Sequence, residues 1–226
     1  MAQLRAMIRP FALALALTMS ASLAAADELP IARVFAPPAL NGPAPRGVKL
    51  SPDGAFVTFL KPEPTDQTTF DLWARSVKDG TERLLIEGAK VEPKGVALTE
   101  AEKGRRERQR IAGDHGVTDY AWDEIGAQIL VPAAGQLYLA DAKTGAVRVL
   151  GDTGGGATDA KISPGGGYVT YVRDQNLRAI DLRTSADRAI TTEGQGAISF
   201  GMAEFVAQEE MGRYTGYWTI SLKKAG

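Results

Sequence analysis

The chain has 226 residues, with 26 Lys and Arg against 27 Asp and Glu, a formal net charge of −1, one histidine and no cysteine. Without cysteine there is neither a disulfide framework nor a thiolate metal site, and a single histidine removes the usual multi-histidine metal centres. The near-neutral balance argues against nucleic acid as a partner, which calls for a concentrated basic surface. No metal and no cofactor is expected.

Residues 1–26 have the three-part layout of an export signal. Arg5 and Arg9 form a basic start, Phe11 to Met19 an uncharged apolar run, and Ala24-Ala25-Ala26 a small-residue cleavage site before Asp27. The run is shorter than the about 20 apolar residues that a membrane span needs. Cleavage leaves residues 27–226 with a formal charge of −3, expected to be secreted or periplasmic and to have no membrane contact. An exported chain free of cysteine fits a bacterial periplasm.

Residues 27–49 are rich in proline and alanine and read as an extended lead-in rather than a helix. From Ser51 the sequence repeats itself. The turn Ser51-Pro52-Asp53-Gly54 precedes the alternating run Phe56 to Leu60, followed by Leu72-Trp73-Ala74, the tight turn Asp79-Gly80 and Arg83 to Ile86. The same order returns as Tyr120 to Asp123, Gln128 to Val131, Leu137 to Leu139, Thr144-Gly145 and Val147 to Leu150. It returns again from Ile162-Ser163-Pro164-Gly165-Gly166 through Tyr168 to Val172, Leu177 to Leu182 and Arg188 to Ile190.

Trp122 and Ser163 stand 41 residues apart, the length of one four-stranded propeller blade at roughly 40–45 residues. Ser51 and Trp122 stand 71 apart, so the first interval carries an insertion. Leu98 to Ile111 supplies it: Thr99 precedes Glu102 at capping-box spacing, good helix formers follow, and the charge pattern lacks a wide apolar stripe. The fold class expected is therefore all-β, a partial β-propeller of about four blades with one inserted surface helix. The parts are residues 1–26 as signal, 27–49 as lead-in, 50–218 as propeller and 219–226 as an off-pattern tail.

Gly151-Asp152-Thr153-Gly154-Gly155-Gly156 has glycines like a phosphate loop but lacks the Gly-Lys-Ser/Thr ending, so it reads as a flexible inter-blade loop. His115, in Gly-Asp-His-Gly, reads as an ordinary loop residue. No Gly-x-Ser-x-Gly elbow occurs, so no α/β-hydrolase triad can be built from this sequence. The chemistry concentrates in AEFVAQEEMGRYTGYW, Ala203 to Trp218, where Glu209 and Glu210 stand beside Tyr214, Tyr217 and Trp218. Glycosidase carboxylates flank a bond at roughly 5–9.5 Å, so a sequence-adjacent pair suits the gripping of a cation better than acid/base work. An ammonium group offers three charged donors to such a pair, and its charge relieves their mutual repulsion.

RRERQRI, YVTYVRDQNLRAIDL and, above all, AEFVAQEEMGRYTGYW resemble landmarks of the dipeptidyl peptidase IV group of the prolyl oligopeptidase clan, in its bacterial exported branch. That resemblance implies an eight-bladed propeller capping a C-terminal α/β-hydrolase domain with a Ser, Asp, His triad. It implies that Glu209 and Glu210 clamp the free α-amino group of a peptide, from which an Xaa-Pro or Xaa-Ala dipeptide is released. An arginine of the blade insertion would hold the substrate carbonyl; Arg105, Arg106, Arg108 and Arg110 are the candidates, and Arg106 is favoured.

Two positions depart from the family pattern. Gly212 stands where an acidic residue is usual, and TISLKKAG after Trp218 replaces a second Trp and another Ser-Pro-Asp-like turn. The expectation is a fragment, from a frameshift or a truncated gene model, that has no catalytic residue and is inactive alone. Its partner would be a peptide with a free N-terminus; the family's homodimer is not expected of it. The alternative is a free-standing periplasmic propeller module that binds proteins.

Overall fold

The computed structural model describes residues 29–36, 40–42 and 44–220. The expected signal at 1–26 lies outside them, as does all of the tail beyond Ile220. The described residues include no helix long and apolar enough to cross a membrane. The described residues divide into two units, one ending at Leu40 and one starting at Asn41.

In the first unit the lead-in contains a short helix, α1 (Ile31–Phe35), where an extended segment was expected. Pro30 caps it with φ −66° and its carbonyl accepts from Arg33 N at 2.8 Å. Proline is accommodated at a helix start because it has no N–H to leave unpaired. The five residues after it contain neither Gly nor Pro, and the prolines that favour extension come only later, at Pro37 and Pro38.

The second unit is built from three antiparallel sheets in chain order. The first contains β1 (Arg46–Leu50), β2 (Phe56–Pro62), β3 (Thr69–Ser76) and β4 (Glu82–Ile86). The second contains β6 (Ala121–Trp122), β7 (Gln128–Ala133), β8 (Gln136–Asp141) and β9 (Val147–Val149). The third contains β10 (Thr158–Ile162), β11 (Tyr168–Arg173), β12 (Asn176–Asp181) and β13 (Asp187–Ala189). Each sheet is built on a four-stranded meander, as the threefold strand and turn pattern requires, and the first carries a fifth strand from the insertion. β1 starts inside the stretch read as lead-in.

The repeat also holds at the level of single hydrogen bonds. Ser51 Oγ accepts from Phe56 N at 2.9 Å, and Ser163 Oγ from Tyr168 N at 3.0 Å, closing the turn before the second strand of the first and third sheets. Asp141 and Asp181 each accept two backbone N–H groups in the third hairpin turn, at 2.7–3.0 Å. This is the local backbone mimicry that makes Asp a turn residue.

The middle sheet explains its own sequence. In β7, Ile129, Val131 and Ala133 pack with Leu72, Ala74 and Ile86 of the first sheet, while Leu130 joins Val169, Tyr171 and Ile180 of the third. A strand buried on both faces has no polar side to alternate with, hence the unbroken run Ile129-Leu130-Val131. The three sheets occupy residues 46–189, and Thr191 to Ile220 adds only isolated bridges and one short helix. A length sufficient for about four blades therefore yields three sheets.

The insertion after β4 holds α2 (Gly88–Val91), α3 (Glu100–Arg108) and β5 (His115–Gly116). β5 pairs in parallel with β3, Thr69 opposite His115. His115 is thus an edge residue of the first sheet, with Nδ1 3.2 Å from Glu92 Oε1. The Gly151–Gly156 loop is pinned rather than loose: the buried Thr153 hydroxyl donates toward Gly135 O and Gln136 Oε1, both at 2.7 Å.

Candidate functional site

α3 begins as its sequence predicts, with Thr99 Oγ1 accepting from Glu102 N at 3.3 Å. It docks without an apolar stripe by turning charges inward. Arg106, 1% exposed, donates from Nε to Glu102 Oε1 at 2.8 Å, from Nη1 to Glu92 Oε1 at 2.9 Å and to Asp114 O at 2.8 Å, and from Nη2 to Glu92 Oε2 at 2.6 Å. Arg105 grips the other side of Glu102 at 2.6 and 2.8 Å. Burial pushes the Glu102 carboxyl up, but the hydrogen bonds and charge of Arg105, and then of Arg106, hold it below the usual carboxylate range. The surface helix of the sequence reading is in fact fastened by a buried ion network. A network like this is tolerated inside a protein only when every charge is matched.

The double-Glu segment is a loop closed at its base. Met202 and Thr215 form an antiparallel bridge, and between them lies α4 (Phe205–Glu209). Glu204 caps α4 by accepting from Val206 N and Ala207 N, both at 2.9 Å. Ala207 faces inward, and Gln208 Nε2 donates to Ala203 O at 2.6 Å. Glu209 is the last helical residue and Glu210 the C-cap. Both are exposed, and neither has an ion pair among the described residues.

Two contacts across more than 100 positions or at that span join this loop to the insertion. Arg108 Nε donates to Gln208 Oε1 at 2.5 Å, and Tyr214 OH to Arg108 O at 3.3 Å. Between the two elements lies a cleft of ≈ 540 Å³, lined among others by Arg105, Arg108, Asp159, Gln208, Arg213 and Tyr214. Gln208 and Gly212, on either side of the Glu pair, belong to this wall; Glu209 and Glu210 do not. Among the described residues no group of His, Cys, Asp and Glu could hold a metal ion.

The site residues read from the sequence therefore take different places. The carboxylates stand in the open rather than in a buried aromatic setting. The three aromatics diverge: Tyr214 lines the cleft, Tyr217 is buried with its OH donating to Asp159 O at 2.7 Å, and Trp218 is 71% exposed. Among the arginines, Arg106 points into the protein and Arg105 and Arg108 line the cleft. Arg110 is exposed beyond the helix at φ 59°. The sequence reading missed Gln208 and Asp159. Gln208 stands next to the Glu pair and was within reach of that reading; nothing in the sequence linked Asp159 to a segment more than 50 positions away.

Residues 127–219 match the family model described as the dipeptidyl peptidase IV (DPP IV) N-terminal region. The chain is similar to the crystal structure of dipeptidyl peptidase 4 from Porphyromonas gingivalis, with a TM-score of 0.50 and 19% identity, over 75% of this chain and 23% of that one. It is also similar to TolB from Acinetobacter baumannii, with a TM-score of 0.41 and 14% identity, over 70% of this chain and 35% of that one. The tricorn protease gives a TM-score of 0.43 and 15% identity, over 66% and 13%. The first of these likenesses speaks for the fold, and the other two are too low to add to it. The chain spans less than a quarter of the Porphyromonas protein's length. The matched segment, residues 127–219, takes in the second and third sheets and the double-Glu loop, and over that segment the chain is similar to the dipeptidyl peptidase IV N-terminal region.

Proposed function

We propose that this chain is the substrate-recognition part of a serine dipeptidyl peptidase that removes Xaa-Pro or Xaa-Ala dipeptides from peptide N-termini. The observation that carries the reading is the junction of the insertion helix with the double-Glu loop through Arg108, Gln208 and Tyr214. It sets two carboxylates without cationic partners next to an arginine-lined cleft. An α-ammonium group is the complementary ligand, since it supplies charge-assisted donors to both carboxylates. Arg108 lines the cleft and is better placed than Arg106 to meet a peptide carbonyl, because the Arg106 guanidinium is buried and engaged by Glu92 and Glu102. Arg105 also lines the cleft but is held by Glu102 and Gln109. The nucleophile would come from a hydrolase domain, since this sequence has no Gly-x-Ser-x-Gly turn.

The test is calorimetric titration of the chain with Ala-Pro-Ala and with its N-acetylated form. The free-amine peptide should bind, and Glu209→Gln with Glu210→Gln should weaken it at least about 10-fold, given roughly 1.5–3 kcal/mol per charged hydrogen bond. Equal binding of both peptides would overturn the clamp, and dipeptide release by the chain alone would overturn the division of labour. Export with cleavage before Asp27 belongs to the same reading. N-terminal sequencing of the protein recovered from a periplasmic fraction checks it, and an intact Met1 would refute it.

A further inference from the structure

The first and third sheets share a bulge. Pairing shifts register between Arg46 and Lys49 in β1 and between Thr158 and Lys161 in β10, at matching places against Thr58 and Thr170. Each bulge holds a residue with positive φ, Gly47 at 57° and Asp159 at 46°. Each is followed two positions later by a lysine lying over a tyrosine ring: Lys49 over Tyr120 at 4.3 Å, and Lys161 over Tyr217 at 3.9 Å. In both, the tyrosine hydroxyl donates to the carbonyl of the positive-φ residue, Tyr120 to Gly47 O at 2.5 Å and Tyr217 to Asp159 O at 2.7 Å. This is one latch between successive segments, made twice.

Glycine adopts the left-handed backbone of that bulge freely, whereas a residue with a Cβ does so at an energetic cost. What aspartate adds in the third sheet is its carboxylate. Asp159 Oδ2 accepts from Thr215 Oγ1 at 2.9 Å and from Gly216 N at 3.2 Å, and Oδ1 pairs with Lys161 Nζ at 2.5 Å. Thr215 and Gly216 are the base of the loop that carries Glu209 and Glu210, closed there by the Met202–Thr215 bridge. A Cβ on Gly216 would lie 2.2 Å from the Met202 carbonyl carbon, so the two strands of the base are in direct backbone contact.

We infer that Asp159 is a positioning residue whose carboxylate pins the base of the 203–214 loop to the third sheet and so sets where Glu209 and Glu210 stand. Strain retained at one of two otherwise alike bulges is expected where the strained residue has work to do, and bulges commonly re-aim a side chain next to a site. The role rests on the amine-clamp reading.

The experiment uses the full chain, with Ala-Pro-Ala as probe and backbone hydrogen exchange as a second readout. Asp159→Gly keeps the bulge conformation, as Gly47 shows, and removes the carboxylate. It should weaken the tripeptide roughly 10-fold, the loss of about one charge-assisted bond's worth of orientation, and speed exchange at Gly216 and across 204–210. Asp159→Asn tolerates positive φ and keeps an acceptor for Thr215 and Gly216, so it should restore most of the affinity. Wild-type affinity in Asp159→Gly, or an equal loss in Asp159→Asn, overturns the proposal. If the unaltered chain does not bind the free-amine peptide, the clamp reading fails by itself. Exchange then decides the positioning role: acceleration at 204–210 in Asp159→Gly upholds it, and an unchanged pattern rejects it. Should Asp159→Gly not fold, Asp159→Asn against Lys161→Met separates the acceptor from the ion pair, and loss of affinity in Lys161→Met alone rejects the acceptor role.

Discussion

α3 and α4 are short helices that flank one cleft, yet they use charge in opposite ways. α3 turns Glu102 and Arg106 inward, where Glu92, Arg105 and the Asp114 carbonyl match every charge. α4 turns only Ala207 and Gln208 inward and leaves Glu209 and Glu210 in solvent. The difference separates charges that hold the fold from charges free for a ligand. A buried ion is tolerable only with all its partners present, whereas an exposed one keeps its hydration until something better arrives.

The largest break in that contrast should come from Arg106. Arg106→Ala leaves Glu92 buried without its main partner and Glu102 with Arg105 alone, and should cost about 3–5 kcal/mol, read as a lower denaturant midpoint. If stability hardly moves, α3 is not held by this network. Acid tests the same point. The Glu102 carboxyl is held below its usual range in the folded chain, so its contribution is fully present above the unfolded-state value and is lost as pH falls through the folded one. Stability should therefore drop on acidification below the ordinary carboxylate range, and Glu102→Gln should flatten that acid limb while lowering stability at neutral pH. An unchanged acid limb would contradict the assignment.

On the α4 side the effects are smaller. Glu204→Ala removes the acceptor for Val206 N and Ala207 N and should cost about 1 kcal/mol, the usual value of an N-cap. Faster amide exchange confined to 205–210 would locate the loss. Glu209→Gln with Glu210→Gln should shift stability by no more than about 0.5 kcal/mol, as for exposed sites away from structural contacts. A large destabilisation would mean that the pair belongs to the fold after all.

The sheets were legible because β-structure of this kind is written locally. Asp79-Gly80 and Thr144-Gly145 mark the hairpin turns, alternation marks the strands, and the 41-residue spacing marks the sheet. The continuous run at Ile129 to Val131 was a strand by its flanks, and only packing revealed that its two faces serve different cores. The insertion helix was placed by its cap, but its attachment was not. Charge sequence alone does not tell which guanidinium turns inward, since Arg105, Arg106, Arg108 and Arg110 differ only in where the helix meets Glu92. The short helix at Ile31 to Phe35 escaped because neighbouring prolines dominated the local signal.

By itself, then, the sequence determined the all-β repeat, the inserted helix and the carboxylate pair, all of which depend on residue type at short spacing. Tertiary structure alone decided that Arg106 is buried among Glu92 and Glu102, that Arg108 meets Gln208, that the three aromatics part company, and that Asp159 reaches the base of the double-Glu loop. Those outcomes depend on which distant backbones approach and on the requirement that each buried polar group find a partner. Such a requirement is satisfied in space, between positions 50 to 100 residues apart, and leaves no periodic trace along the chain.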